Sequence, residues 1–129
     1  MTPPVLDASA LLALLQNEPG AARVKGAIDG ARMSVVNLAE VVSHYAKLGA
    51  GRAAIEAMLH PLPIVLEPVD AELSYLAGMM RPITLPRGLS LGDRYCLALA
   101  KQKGATALTA QRRWPEIATL AGVVVELIR

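Results

Sequence analysis

Three acidic residues stand where proteins often gather charge: Asp7 directly after the apolar pair Val5-Leu6, Glu40 three residues beyond Asn37, and Asp93 three residues beyond Ser90. Each has a local explanation. Asp7 suits a helix N-cap, Asn37-x-x-Glu40 and Ser90-x-x-Asp93 both have capping-box spacing, and acids in a first helical turn favour the macrodipole. Their joint pattern suggests more. Carboxylates brought within a few ångströms repel one another, so each must be protonated or share a cation. Oxygen-only ligation suits Mg²⁺ or Mn²⁺, hard ions that keep several waters and bind through few carboxylates plus phosphate oxygens. The chemistry expected of such a cluster is phosphodiester hydrolysis by an activated water, with no protein nucleophile.

Other chemistries have weaker support. Cys96 lies in the apolar run Tyr95-Cys96-Leu97-Ala98-Leu99 and reads as core, and neither His44 nor His60 has a motif around it. One cysteine excludes an internal disulfide, and two histidines without a cysteine cluster argue against structural zinc. No Gly-rich phosphate cradle precedes a helix, so a nucleotide cofactor is not expected.

The elements that must position the acids alternate between strand and helix. Val5-Leu6 reads as a short strand and Ala8 to Gln16 as a helix stopped near Pro19-Gly20, with a second helix from Ala21 to Ile28. Met33 to Val36 reads as the next strand, Asn37 to Leu48 as the helix it feeds, and a further helix ends at His60-Pro61. Ile64 to Leu66 is a third strand, followed by a helix from Ala71 to Met80 with Asp70 at its N-cap. Two prolines and a glycine make Arg81 to Leu89 a loop. A helix then runs from about Leu91 to Gln102, capped by Gly104. Ala105 to Thr109 and Val123 to Leu127 complete the strands, with a short helical turn around Arg113. Short, doubly apolar strands alternating with helices predict an α/β/α sandwich on a mostly parallel sheet of about five strands. Ligands in such sheets bind outside the carboxyl ends of the strands, where Asp7, Glu40 and Asp93 all belong.

At 129 residues and 53% hydrophobic, the chain is expected to form one domain over residues 1–129. One Trp and three Tyr leave the core to aliphatic and small side chains. A mean hydropathy of +0.40 predicts that a partner chain covers some apolar surface. The apolar runs fall short of the roughly 18 residues needed to span a bilayer, and the N-terminus lacks the basic region of a signal peptide, so a cytoplasmic protein with no membrane association is expected. The net charge of +2 and the Arg112-Arg113 pair are compatible with a polyanionic partner, without demanding one.

Three stretches carry a family resemblance. Val5-Leu6-Asp7-Ala8-Ser9-Ala10-Leu11-Leu12-Ala13 resembles the opening strand and helix of PIN domains, and Asn37-Leu38-Ala39-Glu40-Val41 resembles their second motif. Leu89-Ser90-Leu91-Gly92-Asp93-Arg94-Tyr95-Cys96-Leu97-Ala98-Leu99-Ala100 resembles the third, particularly as seen in VapC-type toxins. The resemblance covers essentially the whole chain and implies a PIN-like fold and a Mg²⁺- or Mn²⁺-dependent endoribonuclease, the toxin of a toxin–antitoxin pair. It implies that Asp7, Glu40 and Asp93 are the catalytic, metal-binding acids. Ser9 is either a helper through its hydroxyl or an ordinary hydroxyl in a first helical turn.

In the fourth motif, Leu108-Thr109-Ala110-Gln111-Arg112-Arg113-Trp114 matches the family except at Gln111, where an acid is expected. Three readings compete: three acids suffice with one metal, Glu116 substitutes, or activity is weakened or lost. The first is preferred, with Gln111 a possible helper and Glu116 solvent-facing or paired with Arg112 or Arg113. Arg112 and Arg113 are candidate contacts to the RNA backbone, and Trp114 is expected to pack.

The resemblance also implies a cognate antitoxin as partner and a homodimer, with exposed apolar faces expected around Ala10 to Leu15, Val41 to Leu48 and Leu73 to Met80. The alternative function is a PIN-like RNA- or protein-binding module that lost cleavage with its fourth acid. A receiver-like signalling domain would also gather acids around Mg²⁺, but the order of motifs fits it badly.

Overall fold

A computed structural model describes residues 2–129. Five strands, β1 (Val5–Leu6), β2 (Arg32–Ser34), β3 (Val65–Glu67), β4 (Ala107–Thr109) and β5 (Val125–Leu127), form one sheet. Their order is β3-β2-β1-β4-β5 and every pairing is parallel. The strands alternate in sequence with α1 (Ala8–Leu15), α2 (Ala21–Ala27), α3 (Val35–Lys47), α4 (Arg52–Leu59), α5 (Ala71–Met79), α6 (Arg81–Thr84), α7 (Leu91–Lys103) and α8 (Pro115–Ala121).

Both faces of the sheet are covered, which explains why its strands read as doubly apolar. Val5 and Ala107 join Leu73, Ala77, Cys96, Leu97, Trp114 and Ile117 in a core under α5, α7 and α8. Their neighbours Leu6 and Leu108 point the other way, with Ala10, Leu11, Val24, Met33 and Val41 under α1, α2 and α3. This is strand alternation with a separate core on each side. Helix α7 is buried over most of the stretch from Gly92 through Ala100, so the helix carrying Asp93 is anchored along much of its length. No helix among the described residues is long and apolar enough to cross a membrane.

Three sequence expectations need correction. Helix α3 starts at Val35, two residues before Asn37, because Ser34 caps it by accepting a hydrogen bond from Val36 N at 3.2 Å. Asn37 is therefore inside the helix, and its side chain is free for another use. The segment 81–87, expected as a loop, forms α6 and a 3₁₀ turn over Leu85–Arg87. Pro82 and Pro86 fall in the first turns of these elements, where the missing N–H is no loss and the fixed φ is helical. The turn around Arg113 leads into the full helix α8, likewise opened by a proline, Pro115.

The apolar faces divide differently from the expectation. In α1, Ala10, Leu11 and Ala13 are buried. The exposed large apolar residues on the other two segments are Leu48 just past α3, and Tyr75 and Met79 on α5.

Candidate functional site

The sheet order makes β1 and β4 a topological switch point: connections from β1 lead through β2 to β3, whereas β4 leads to β5 on the other side. The crevice at the carboxyl ends of two such strands is the usual ligand position in open α/β sheets. Asp7 comes directly after β1 there, and Gln111 lies two residues beyond β4.

Asp7 is almost completely buried and caps α1, its Oδ1 accepting from Ala10 N at 2.8 Å. Ser9 Oγ lies 2.8 and 2.9 Å from the two carboxylate oxygens and accepts from Ala110 N at 2.9 Å. The register of β1 with β4, Leu6 beside Leu108, carries Asp7 alongside Thr109, whose Oγ1 donates to Asp7 Oδ2 at 2.6 Å. Thr109 Oγ1 in turn accepts from Gln111 N at 3.0 Å. Ser9 therefore lies in the first turn of α1 with its hydroxyl against the Asp7 carboxylate.

Asp93 completes a reciprocal capping box. Its Oδ2 accepts from Ser90 N at 2.8 Å, while Ser90 Oγ accepts from Asp93 N at 3.2 Å. Its Oδ1 accepts from Gln111 Nε2 at 2.9 Å. Gln111, standing where an acid was expected, therefore presents an amide donor to Asp93 and links it through Thr109 to Asp7. Glu40, on α3, accepts at Oε1 from Asn37 Nδ2 at 2.7 Å.

The capping acids Asp7 and Asp93 also accept hydrogen bonds from other elements. Burial pushes the Asp7 carboxyl up to about 6, against the lowering effect of its hydrogen bonds with Thr109, Ala10 and Ser9, and the charge of Asp93 adds to the rise. Glu40 is raised as well, first by desolvation and then by Asp93, with Asn37 opposing. The Cys96 thiol is raised chiefly by complete burial, with Asp7, Asp93 and Glu40 adding to it, which leaves it an inert packing group. Among the described residues no basic side chain forms an ion pair with any of the three acids. Arg94, next to Asp93, donates instead to the Ala77 carbonyl of α5 at 3.3 Å.

Do these residues fit a divalent cation? Among the described residues no group of three or more His, Cys, Asp or Glu side chains is placed to hold a metal ion by itself. The donors are nevertheless all oxygen and carry negative charge without a counter-ion. That suits a hard ion held by one or two carboxylates and completed by water and phosphate oxygens. The Asn37 Oδ1 is buried and lacks a hydrogen-bond partner, a further sign that this polar cluster is not closed by protein groups alone.

The raised Asp7 has a consequence for stability. Its carboxyl binds a proton more readily in the folded chain than in the unfolded one, so the associated stabilisation is complete below about 4 and is lost as pH rises through about 6. In chelator, the chain is expected to lose about 3 kcal/mol relative to Asp7→Asn across that interval, and no more above it. Denaturant unfolding of the two proteins from pH 4 to 7.5 measures this. Parallel stability curves would show that Asp7 titrates as an ordinary carboxyl.

Of the remaining predicted residues, Arg112 and Arg113 are exposed, and Arg113 donates to the Arg87 carbonyl at 3.4 Å. Glu116 is paired with Arg87 at 2.8 Å, not with Arg112 or Arg113, because the turn at 85–87 packs beside the start of α8. Trp114 is fully buried among the residues of the α7 and α8 core and is a packing residue. Sequence reasoning assigned no role to Thr109, and saw Asn37 only as a possible cap. Thr109 lies inside the fourth motif stretch, but its pairing with Asp7 follows from the β1–β4 register, which the sequence does not show. Asn37 was visible as a polar residue between the apolar Val36 and Leu38, but its contact with α7 follows from helix packing.

A family model for the PIN domain matches residues 5–120. A search of curated proteins finds no match. Among solved structures, the DNA-bound VapBC of Salmonella typhimurium superposes with a TM-score of 0.72 at 18% identity, over 100% of both chains. The VapBC2 of Rickettsia felis, bound to a DNA fragment from its promoter, gives 0.69 at 15% identity over 95% of this chain and 96% of that one. FitAcB of Neisseria gonorrhoeae gives 0.66 at 19% identity, over 94% of each. At these identities the likeness speaks for the fold.

Proposed function

Since the chain belongs to the PIN-domain family, we propose that it is a metal-dependent endoribonuclease, the toxin of a toxin–antitoxin pair. What supports this reading is the hydrogen-bond network at the switch point of the parallel sheet, in which Thr109 and Gln111 link Asp7 to Asp93 and Asn37 links Glu40 to the Gly92 carbonyl beside Asp93, with no basic side chain among the described residues paired to any of the three acids. Asp7, Glu40 and Asp93 would hold Mg²⁺ or Mn²⁺. When bound, the ion supplies Lewis-acid polarisation of the phosphate and activation of water. The Ser9 and Thr109 hydroxyls fix the orientation of Asp7, and Gln111 fixes that of Asp93. Arg112 and Arg113, exposed beyond β4, are available to meet RNA phosphates.

The test is cleavage of a mixed cellular RNA pool by the chain and by Asp93→Asn, with Mg²⁺, with Mn²⁺ and with chelator. Cleavage is expected only with a cation and an intact Asp93. Equal cleavage in chelator would remove the metal from the reading. The alternative is a PIN-like binding module with weakened or lost cleavage. It draws on one observation, the neutral Gln111 amide occupying Asp93 Oδ1, and RNA binding without cutting would favour it.

An antitoxin partner in the cytoplasm is part of the same proposal. It is supported by the fold shared with VapBC and FitAB chains and by a mainly apolar groove of about 380 Å³ lined by Leu38, Val42, Ile55, Leu59 and Leu66 together with Arg52, Glu56 and His60. Exposed Tyr75 and Met79 on α5 are the residues we would assign to a homodimer contact.

A further inference from the structure

Glu40 is held by groups that no helix cap accounts for. Asn37 is fully buried one turn before it on α3. Its Nδ2 donates both to Glu40 Oε1 at 2.7 Å and to the Gly92 carbonyl at 3.0 Å. A single amide thus ties the acid of α3 to the first turn of α7, beside Asp93. A carboxylate can only accept, so the amide must present its nitrogen to Glu40, and the orientation is unambiguous.

Gly92 supplies the second half of the arrangement. A methyl group there would stand 2.6 Å from the Glu40 carboxyl carbon, far inside contact distance. The backbone does not ask for glycine: Gly92 is absent from the positive-φ residues and lies within the first turn of α7, where glycine is unfavourable relative to alanine. Space for the Glu40 carboxylate is the property that alanine would remove.

Taking Glu40 as an acid of the site, as in the function proposed above, we propose that Asn37 and Gly92 are positioning residues that seat its carboxylate against α7, next to Asp93: the amide pulls it in and the missing side chain lets it lie there. Groups that orient a metal-ligating side chain commonly change metal affinity by about 10- to 100-fold when altered. The same change is expected here, acting through Glu40 alone.

A double-mutant cycle tests this. Mn²⁺ affinity, read from the electron paramagnetic resonance of free ion, and thermal midpoint in chelator are measured for the unaltered chain, Gly92→Ala, Asn37→Ala, Glu40→Ala, and Gly92→Ala and Asn37→Ala each combined with Glu40→Ala. Gly92→Ala is expected to weaken Mn²⁺ binding about 10- to 100-fold with little change in midpoint, because the new methyl meets the end of a flexible side chain. With Glu40 already removed, neither substitution should weaken binding further. Undiminished affinity in Gly92→Ala, or the same loss with and without Glu40, overturns the proposal. Failure of the nuclease reading looks different: the unaltered chain then binds Mn²⁺ no better than Glu40→Ala, and the proposal falls with it. Gly92→Ala decides the matter even if Asn37→Ala does not fold.

Discussion

Asp7→Asn is expected to lower RNA cleavage by at least about 100-fold while leaving the fold as stable as before or more so. The loss comes from removing charge at the site's most buried acid, since stabilisation of developing phosphate charge by a held cation is worth several kcal/mol and each 1.4 kcal/mol or so is tenfold in rate. The preserved fold comes from the hydrogen bonds. An asparagine Oδ1 can still accept from Ala10 N, which keeps the α1 cap, and its NH₂ can face Thr109 Oγ1 once that hydroxyl rotates. Burial of a carboxylate raised to about 6 means that at neutral pH the folded metal-free chain carries a charge it would rather not have. Asparagine relieves that cost. Cleavage rate and unfolding free energy, measured on the same preparation, should therefore move in opposite directions or the second not at all. An Asp7→Asn chain that still cleaves at the parental rate would reduce Asp7 to a helix cap and remove the basis of the proposed site.

Gln111→Asp should act with comparable size and in the reverse sense. The Gln111 amide now supplies Asp93 with a neutral donor at 2.9 Å. An aspartate there replaces attraction with repulsion between like charges and adds a fourth acid to the three. At an effective dielectric of about 20, a unit charge roughly 5 Å from a cation contributes about 3 kcal/mol per cation charge. Metal affinity is expected to rise by about 100-fold or more, and the metal-free chain should be less stable than the parent. The two effects combine in one observable. Mn²⁺ should raise the thermal midpoint of Gln111→Asp much more than that of the parent, because ligand binding stabilises in proportion to ln(1 + [L]/Kd). Equal shifts in both proteins would mean that position 111 does not face the ion. If the variant cleaves RNA and the parent does not, the parent is a nuclease disabled at this one residue.

What the sequence determined by itself was local or periodic. Alternating apolar strands and helices led to the parallel sheet covered on both faces, and the Ser90–Asp93 capping box and the Asp70 cap were readable because each closes within three residues. The candidate acids could be named for the same reason: each lies just after a strand or near the start of a helix, and their motifs are contiguous. Boundaries shifted where two polar residues competed for one role, as when Ser34 took the α3 cap and released Asn37.

Only the tertiary structure decided who holds the acids. Thr109 reaches Asp7 across 102 positions because the β1–β4 register puts them side by side, Gln111 reaches Asp93 across 18, and Asn37 reaches Gly92 across 55. Nothing in the local chain favours one of these partners over another polar residue at similar distance in sequence. They are selected by strand order and by the packing of α3 on α7, which the whole core determines at once. The physical reason is range: caps and periodicity are set by interactions within a turn or two, whereas a side-chain hydrogen bond between elements exists only after register and packing have brought donor and acceptor within about 3 Å.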